Sequence, residues 1–551
     1  MTTSRRAVIL PVVLMILLLL GLLVAMFSFR VNADLASTQA VAYRLQTRLA
    51  AEAGIERVKL LLGEARYDMD RWYHNSDELH RIIVWTEGGD ESVWGTNEEF
   101  EDEGMAYRFS IVADDPTDDE DYIRLGITDE SSKINLNTAT ESQLLRLVRV
   151  AVAENEEVIP QDIVNAILDW RDVDQIPRGE VGDTEGEYYR RLPKPYRVKN
   201  GPFETVEELL LVKGVTDEIL YGEDFDRNGL LTPNEDDDDV SFPLDNQDGK
   251  LNRGLYPYLT VHSVENNVSN DNRPRVYLFG QQEVLRQELN EAFPDDPKVV
   301  EFIVAAARSQ GGGGGNSAEN AGPGSGRFGS GPRGNTGNPR PGEGGEGSGP
   351  DELNEGNESA GTNTVGDAET GGGGSGPGTM RSPASLLTVQ DVGGKLPPKT
   401  PVTLEDLPVL MDRTTTLPPE QRTIPGLINI NTAPRLVLQC IEGLTNEHIE
   451  AILERRERVP PETKATTAWL LTEEVVDLKT FEQIAPVITA RGQQFRIEAL
   501  GYGDHIGMVT RLEVVIDMVG PIGQTIYYRD LTYLGGHYPI REEDLEKIRV
   551  R

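Results

Sequence analysis

Cysteine is almost absent from this chain of 551 residues. The single thiol, Cys440, excludes an internal disulfide, so stability rests on apolar cores and any bound metal. Histidine is scarce as well. His74, His80, His262, His448, His505 and His537 are scattered, without the spacing of a metal-ligand set. Positive charge is in deficit: 53 Lys and Arg stand against 92 Asp and Glu, and the net charge of -39 repels the phosphates of nucleic acid. No Gly-x-Ser-x-Gly motif is present, and no phosphate loop with its lysine in a strand-to-helix setting. The glycines at 311–315 lie in low-complexity sequence. Asp169, Trp170, Arg171, Asp172 and Asp174 form a dense polar group that reads as a helix end or salt-bridge corner, not an active site. No acidic residue precedes Asp34.

What the first thirty residues do contain is an apolar run from Ala7 to Phe29, preceded by Arg5 and Arg6. At about 1.5 Å per helical residue it reaches roughly 34 Å, enough to cross a bilayer core of about 30 Å. A cleaved signal peptide has a shorter apolar core and a small-x-small cleavage site, and neither fits here. The run reads as a retained anchor. With two arginines before it and only Arg30 directly after, the N-terminus stays cytoplasmic and the rest is exported. Helical character continues: Leu35 to Leu62 holds no proline and one glycine, Gly54. Leu35, Thr38, Ala42, Leu45, Leu49 and Ala53 recur at helical steps, which predicts an apolar stripe lying on a sheet.

Strand patterns follow at 80–85, 105–114 and 122–128. Residues 139–150, 161–171 and 204–213 read as helices, 256–264 returns to strand, and 281–308 is helical again. From Gly311 to Thr379 composition collapses into Gly, Ser, Pro, Asn and Glu, too little apolar surface to offset chain entropy. Helical patterns at 434–457 and 471–489 precede closing strands at 494–502, 509–519 and 525–534. The predicted organisation is a cytoplasmic start and span (1–30), an extension of the helix (31–65) and a first β portion (66–136). A helical insertion (137–255), a strand and helical segment (256–310) and the disordered stretch (311–380) come next. A second strand–helix unit (381–490) and the closing strands (491–551) complete the chain. One internal repeat stands out: "INLNTATESQLLRLV" at 134–148 is echoed by "ININTAPRLVLQCI" at 428–441. It reads as a strand-to-helix corner used twice, with strands ending at Asn137 and Asn431, Thr138 and Thr432 as N-caps, and Pro434 in a first turn.

The most specific chemical signal is "DFDRNGLLTPNE" at 224–235, which matches an EF-hand loop position for position. Asp224, Asp226 and Asn228 fall at positions 1, 3 and 5, and Gly229 gives the turn at 6. Leu230 offers its carbonyl at 7, Thr232 sits at 9 and Glu235 closes at 12. Calcium wants six to eight hard oxygens, and alternate side chains on a curled backbone supply them. Pro233 and the acidic run at 236–239 mark a loop in an insertion, not a paired sensor hand. Calcium is favoured over a solvated acidic turn. In "DNQDGKLN" at 245–252, Asp245, Asp248 and Asn252 either bind a second ion, support the first, or form an acidic turn.

The chain resembles the K subunit of the type II secretion system, a minor pseudopilin. The residues that carry the resemblance are "AAEAGIERVKLLL" at 50–62, "DESSKINLNTATESQLLRLV" at 129–148, "AILDWRDVD" at 166–174 and "YYRRLPKPYRVKNGPFETVEELLLVKGVT" at 188–216. "LYPYLTVHS" at 255–263 and "GLININTAP" at 426–434 add to it. The resemblance implies an α+β fold: a pilin-like long N-terminal helix on an antiparallel sheet, interrupted by a large, mostly α-helical inserted domain. It implies a single-pass inner-membrane subunit with its bulk in the periplasm, at the tip of the pseudopilus, with no enzymatic activity. The implied partners are the I and J minor pseudopilins, the pseudopilus and secreted proteins, with no nucleic acid. It implies initiation of pseudopilus assembly for export of folded proteins, and calcium in the insertion. Peptidase processing would fall between Ala7 and Val8, with Ala7 where the family has glycine. Most pseudopilins carry a Glu at mature position five, which the K subunit lacks, and here Val12 occupies that place. An unpaired carboxylate there would be expensive in lipid.

A second reading is a membrane-anchored helix-hairpin-helix DNA-binding or DNA-uptake protein. "VKGVTDEIL" at 212–220 and the repeat resemble such modules, with Lys213 and Gly214 facing a phosphate. The net charge and the lack of a clustered basic stretch oppose it.

Overall fold

A computed structural model describes residues 9–86, 106–115, 122–153, 158–178, 185–237, 240–243, 245–310, 380–389, 400–520, 523–535, 538 and 540. Ala7, Val8, His537 and the low-complexity residues 311–379 lie outside them. By compactness the chain divides into one unit of residues 1–307 and 380–551, which holds the fold, and a second of residues 308–379.

The apolar run and the segment after it form one uninterrupted helix, α1 (Ile9–Ala65). Its first third is exposed apolar surface, from Leu10 to Phe29, and is long and apolar enough to cross a membrane. The last third packs on a seven-stranded sheet. In chain order the strands are β1 (Ile82–Thr86), β2 (Ala106–Asp115), β3 (Tyr122–Arg124), β4 (Thr128–Asp129), β5 (Gln494–Gly503), β6 (Ile506–Asp517) and β7 (Gln524–Asp530). The order in space is β1-β2-β5-β6-β7, all antiparallel, with β3 beside β2 and β4 beside β5. The long separation between β4 and β5 holds the helical insertion. The fold class is therefore the one expected: a long N-terminal helix on an antiparallel sheet, with mostly helical sequence threaded into that sheet.

The helix meets the sheet through a different face from the predicted stripe. Leu35, Leu45 and Leu49 are 56%, 57% and 46% exposed. Thr47, Ala50, Ala51, Ile55, Val58, Leu61 and Leu62 are buried instead. Small residues win because they let two backbones approach. A Cβ on Gly501 of β5 would lie 1.9 Å from the Thr47 carbonyl oxygen and 2.5 Å from the Ala51 nitrogen. Beyond this contact, Ile55, Val58, Leu61 and Leu62 interlock with Phe109, Ile111, Phe495, Ile497, Leu512, Val514 and Ile516. Strand alternation sends those sheet residues to the α1 side. It sends Arg496, Glu498, Arg511 and Glu513 to the other face, where Arg511 and Glu513 are buried as well.

The insertion corrects several predicted elements. Residues 206–211 form a 3-10 turn, not a helix. Residues 256–264 are a 3-10 turn (Tyr256–Tyr258) and the short strands Leu259–Thr260 and Val264–Asn266. The stretch 434–457 is two helices, Arg435–Gln439 and Asn446–Arg456, separated where Gly443 adopts a positive φ of 105°. Likewise 471–489 divides into Trp469–Thr472, Leu478–Ile484 and a two-residue strand, Ile488–Thr489.

The repeat holds in three dimensions. Ile134–Asn135 pairs parallel with Leu259–Thr260, and Ile428–Asn429 pairs parallel with Ile488–Thr489. Asn135 and Asn429 each accept the N–H two residues on, from Asn137 and Asn431. Arg171 donates to the Leu136 and Ala139 carbonyls, and Arg456 donates to the Ala433 carbonyl. Asn137 then grips the Phe203 backbone, while Asn431 accepts from the Trp469 ring. The predicted caps are displaced. The chain first closes a turn onto the Asn135 and Asn429 carbonyls, so the helices start later. Thr140, not Thr138, caps Glu141–Ala151, in a capping box with Gln143. The helix after Thr432 begins at Arg435, with Pro434 in the N-cap position and no side-chain cap.

Gly501→Ala is expected to lose about 2–3 kcal/mol, because the added methyl meets backbone. Gly63→Ala, late in α1 with open space around it, is expected to gain about 0.5–1 kcal/mol. Denaturant unfolding of the detergent-solubilised chain measures both.

Candidate metal centre

The loop at 224–235 curls as its sequence requires. Gly229 sits at a φ of +71° and Arg227 at +59°. The Asp224 carboxylate accepts the N–H groups of Asn228 and Gly229, at 2.9 and 3.1 Å. Asp226 accepts from the Asn228 backbone at 3.0 Å, and Asn228 accepts from Leu230 at 2.7 Å. Glu235 folds back, accepting from the Thr232 N–H at 3.0 Å and its hydroxyl at 2.7 Å. Carboxylate oxygens of Asp224, Asp226 and Glu235 all lie within 4.8 Å of one another.

That clustering is electrostatically unfavourable without a cation. Burial, then the charges of Asp114, Asp226 and Glu235, push the Asp224 carboxyl well above its ordinary range. Burial likewise raises Glu235 to about 7, against the two bonds from Thr232. Hard oxygens on a curled loop, three of them from clustered carboxylates, fit calcium chemistry. Asp245 and Asp248 stand apart in a separate turn, where they accept from Gln247 and Lys250. That turn is drawn together by Glu223, which accepts from Asn246 and Asn252.

Sequence reading missed what fastens the loop. Arg511 of β6 donates to the Asp226 carbonyl at 2.6 Å and to the Arg227 carbonyl, while pairing with Glu498 of β5. Arg253 donates to the Gly229 carbonyl at 2.9 Å and the Asp115 carbonyl at 3.0 Å, and lies 3.0 Å from the Asp114 carboxylate. Two guanidinium groups thus hold the loop's backbone against the sheet. The signal was present in the charges that alternate through the closing strands, which only a sheet covered on both faces turns inward.

A second cluster joins the repeats to the sheet. Asp129 of β4 accepts from Asn429 at 2.7 Å, Thr432 at 2.9 Å and the Ser131 N–H at 2.8 Å. Burial raises its carboxyl to about 6 despite these bonds. Burial also opposes ionisation of Glu130, but Arg496 and Lys133 outweigh it and hold that carboxyl far below its usual range. Thr260 donates to Glu130 as well. The polar group at 169–174 is a corner, as expected: Arg178 faces Asp169 and Asp172, Trp170 is buried, and Arg171 serves the repeat.

Each repeat carries a glycine hairpin, at a different point of the two copies: after the 3-10 turn Val206–Leu211 in the first, and between Arg435–Gln439 and Asn446–Arg456 in the second. In each, a positive-φ glycine, Gly214 or Gly443, precedes a Thr N-cap, Thr216 or Thr445. The second is closed to phosphate. Gln483 covers Gly443, and Glu442 stands beside it, accepting from Ser142.

A long N-terminal helix on an antiparallel sheet, with a curled acidic loop in an inserted, mostly helical region, defines the fold class as α+β. Residues 126–221 match the family model of type II secretion system protein K. The type II secretion system protein K of Pseudomonas aeruginosa is 32% identical over 104 residues, a match that spans 17% of this chain and 31% of that protein. Among solved structures, a chain of the GspK-GspI-GspJ complex from enterotoxigenic Escherichia coli aligns at a TM-score of 0.36 and 9% identity, covering 90% of this chain and 98% of that one. The resemblance read from the sequence is borne out over 126–221, which contains the quoted stretches at 129–148, 166–174 and 188–216.

Asp129→Ala leaves buried Asn429 and Thr432 donors without an acceptor. It is expected to cost about 2–4 kcal/mol. Glu454→Ala, on an exposed helix face, is expected to stay within about 0.5 kcal/mol. Denaturant midpoints of the two variants test the difference.

Proposed function

We propose that this chain is a minor pseudopilin of the K type, a membrane-anchored structural subunit that caps a pseudopilus and starts its assembly. One observation carries the reading. The apolar spike and the sheet-packed helix are a single element, α1, and the stretch matching protein K is threaded into the sheet that this helix covers. In this reading the apolar third of α1 spans the inner membrane, with the N-terminus cytoplasmic and the remainder periplasmic. No carboxylate lies in the spike before Asp34, which suits a subunit with no neighbour above it. The solved E. coli chain is part of a GspK-GspI-GspJ complex. The corresponding partners here are the I and J minor pseudopilins, and the protein's role is structural, not catalytic.

Calcium is the proposed cofactor. Asp224, Asp226 and Glu235 supply carboxylates, and Asn228, the Leu230 carbonyl and Thr232 complete the oxygen set. The ion would neutralise a buried acidic loop that otherwise repels itself. Asp245 and Asp248 lie in the neighbouring turn, which Glu223 ties to the start of the loop. The DNA reading is not favoured, since its second hairpin is covered and flanked by a carboxylate.

The sign of the pH dependence follows from Glu235. In the metal-free loop its carboxyl titrates at about 7, and calcium requires it ionised. Calcium binding therefore releases protons and weakens as pH falls through 7. With calcium at about a hundred times its dissociation constant, the chain is expected to gain about 2.7 kcal/mol. That gain is smaller below pH 7 than above it and is mostly lost in Glu235→Gln; calorimetric melting reads it. Co-expression of the full chain with the I and J proteins of its own operon is expected to yield a stable complex that chelator weakens. Long filaments of this chain alone would count against a tip role.

A further inference from the structure

In a chain of net charge -39, the residues between Glu187 and Glu204 include no acid and five cations. The structure gathers them into one lobe. Helix Glu185–Arg191 ends, the chain turns, and the Tyr196 N–H donates back to the Tyr189 carbonyl. Tyr189 and Tyr196 meet Trp170 edge to face with ring centroids 5.5 and 6.4 Å away, which fixes the lobe to the first repeat. The hairpin lysine joins it: the Lys213 N–H donates to the Tyr189 hydroxyl, and its ammonium lies 5.2 Å over the Tyr188 ring.

Some of these cations are spoken for. Arg191 pairs with Glu187 and Lys199 with Glu208. Arg190, Lys194, Arg197 and Lys213 are exposed and make no ion pair among the described residues. Apolar side chains emerge on the same repeat. Val173 is 77% exposed, Ile176 is 72% exposed, and Leu211 sits where its carbonyl takes the Tyr196 hydroxyl. Unpaired arginine beside tyrosine and exposed aliphatic groups, held on a rigid frame, is the composition of a protein-binding surface.

We infer that this lobe is a docking surface for an acidic segment of a partner protein. Charge complementarity selects the partner's sign: elsewhere the chain is acidic, so the lobe is where a carboxylate-rich surface is attracted and not repelled. The same surroundings disfavour a polyphosphate. A nucleic-acid strand or anionic bilayer extends beyond a lobe of this size, and would meet Glu187, Glu204, Glu208, Asp217 and Glu218 at its rim. A protein segment can end where the cations end.

The test uses the full chain in neutral-lipid nanodiscs and a fluorescent poly-glutamate peptide. The peptide is expected to bind, to weaken as salt rises, and to lose about tenfold in affinity in the triple variant Arg190→Glu, Lys194→Glu, Arg197→Glu, as three exposed charge pairs imply. Protection of Lys194 and Lys213 from acetylation by the bound peptide gives a second readout on the wild-type chain, independent of how the variant folds. No peptide binding, binding that survives charge reversal, or no lysine protection would overturn the inference. So would tighter binding of duplex DNA or phosphatidylglycerol vesicles at the same lysines.

Discussion

The structure depends on the two-sided burial of strands β5 and β6. One face is closed by α1, whose small residues let its backbone settle onto Gly501. That contact leaves no room for water or slippage, and it sets which strand residues face the helix. The opposite face then necessarily presents Arg496, Glu498, Arg511 and Glu513. Charges taken out of water need partners close by, or the desolvation cost dominates. The insertion supplies them: Glu130, which also pairs with Lys133, meets Arg496, and the loop carbonyls of Asp226 and Arg227 meet Arg511.

This arrangement explains why the insertion is not a loosely tethered lobe. Its attachments are directional. Arg511 and Arg253 hold the acidic loop by backbone oxygens, and the carboxylates of Asp224, Asp226 and Glu235 face one another. Buried ion pairs are poor sources of net stability, but they specify one geometry among many. Here they specify where the loop sits on the sheet. Asp129 does the same for the second repeat, binding Asn429 and Thr432 across a sequence separation of about three hundred residues.

The repeat shows how one corner serves two purposes. In both copies an Asn closes the turn, an Arg from the second helix seals the carbonyls, and a two-residue parallel pair completes the unit. The copies diverge at their surfaces. The hairpin with Lys213 lies beside the basic lobe, and the hairpin with Glu442 is covered by Gln483.

The amino-acid sequence by itself determined what depends on neighbours along the chain. The apolar spike, the continuity of α1, the strand alternation and the curled loop at 224–235 are all local patterns, and each is found where it was read. What only the tertiary structure decided is what depends on distant residues. Leu45 and Leu49 look like the packing stripe of α1, yet Thr47 and Ala51 touch the sheet, because backbone approach outweighed side-chain greasiness. Thr138 and Thr432 look like caps, yet Thr432 turns to Asp129, a strand residue far earlier in the chain. The inward turn of Arg511 toward the loop is likewise invisible in its own strand. Periodicity states which residues share a face, but only the opposing surface determines which face is buried.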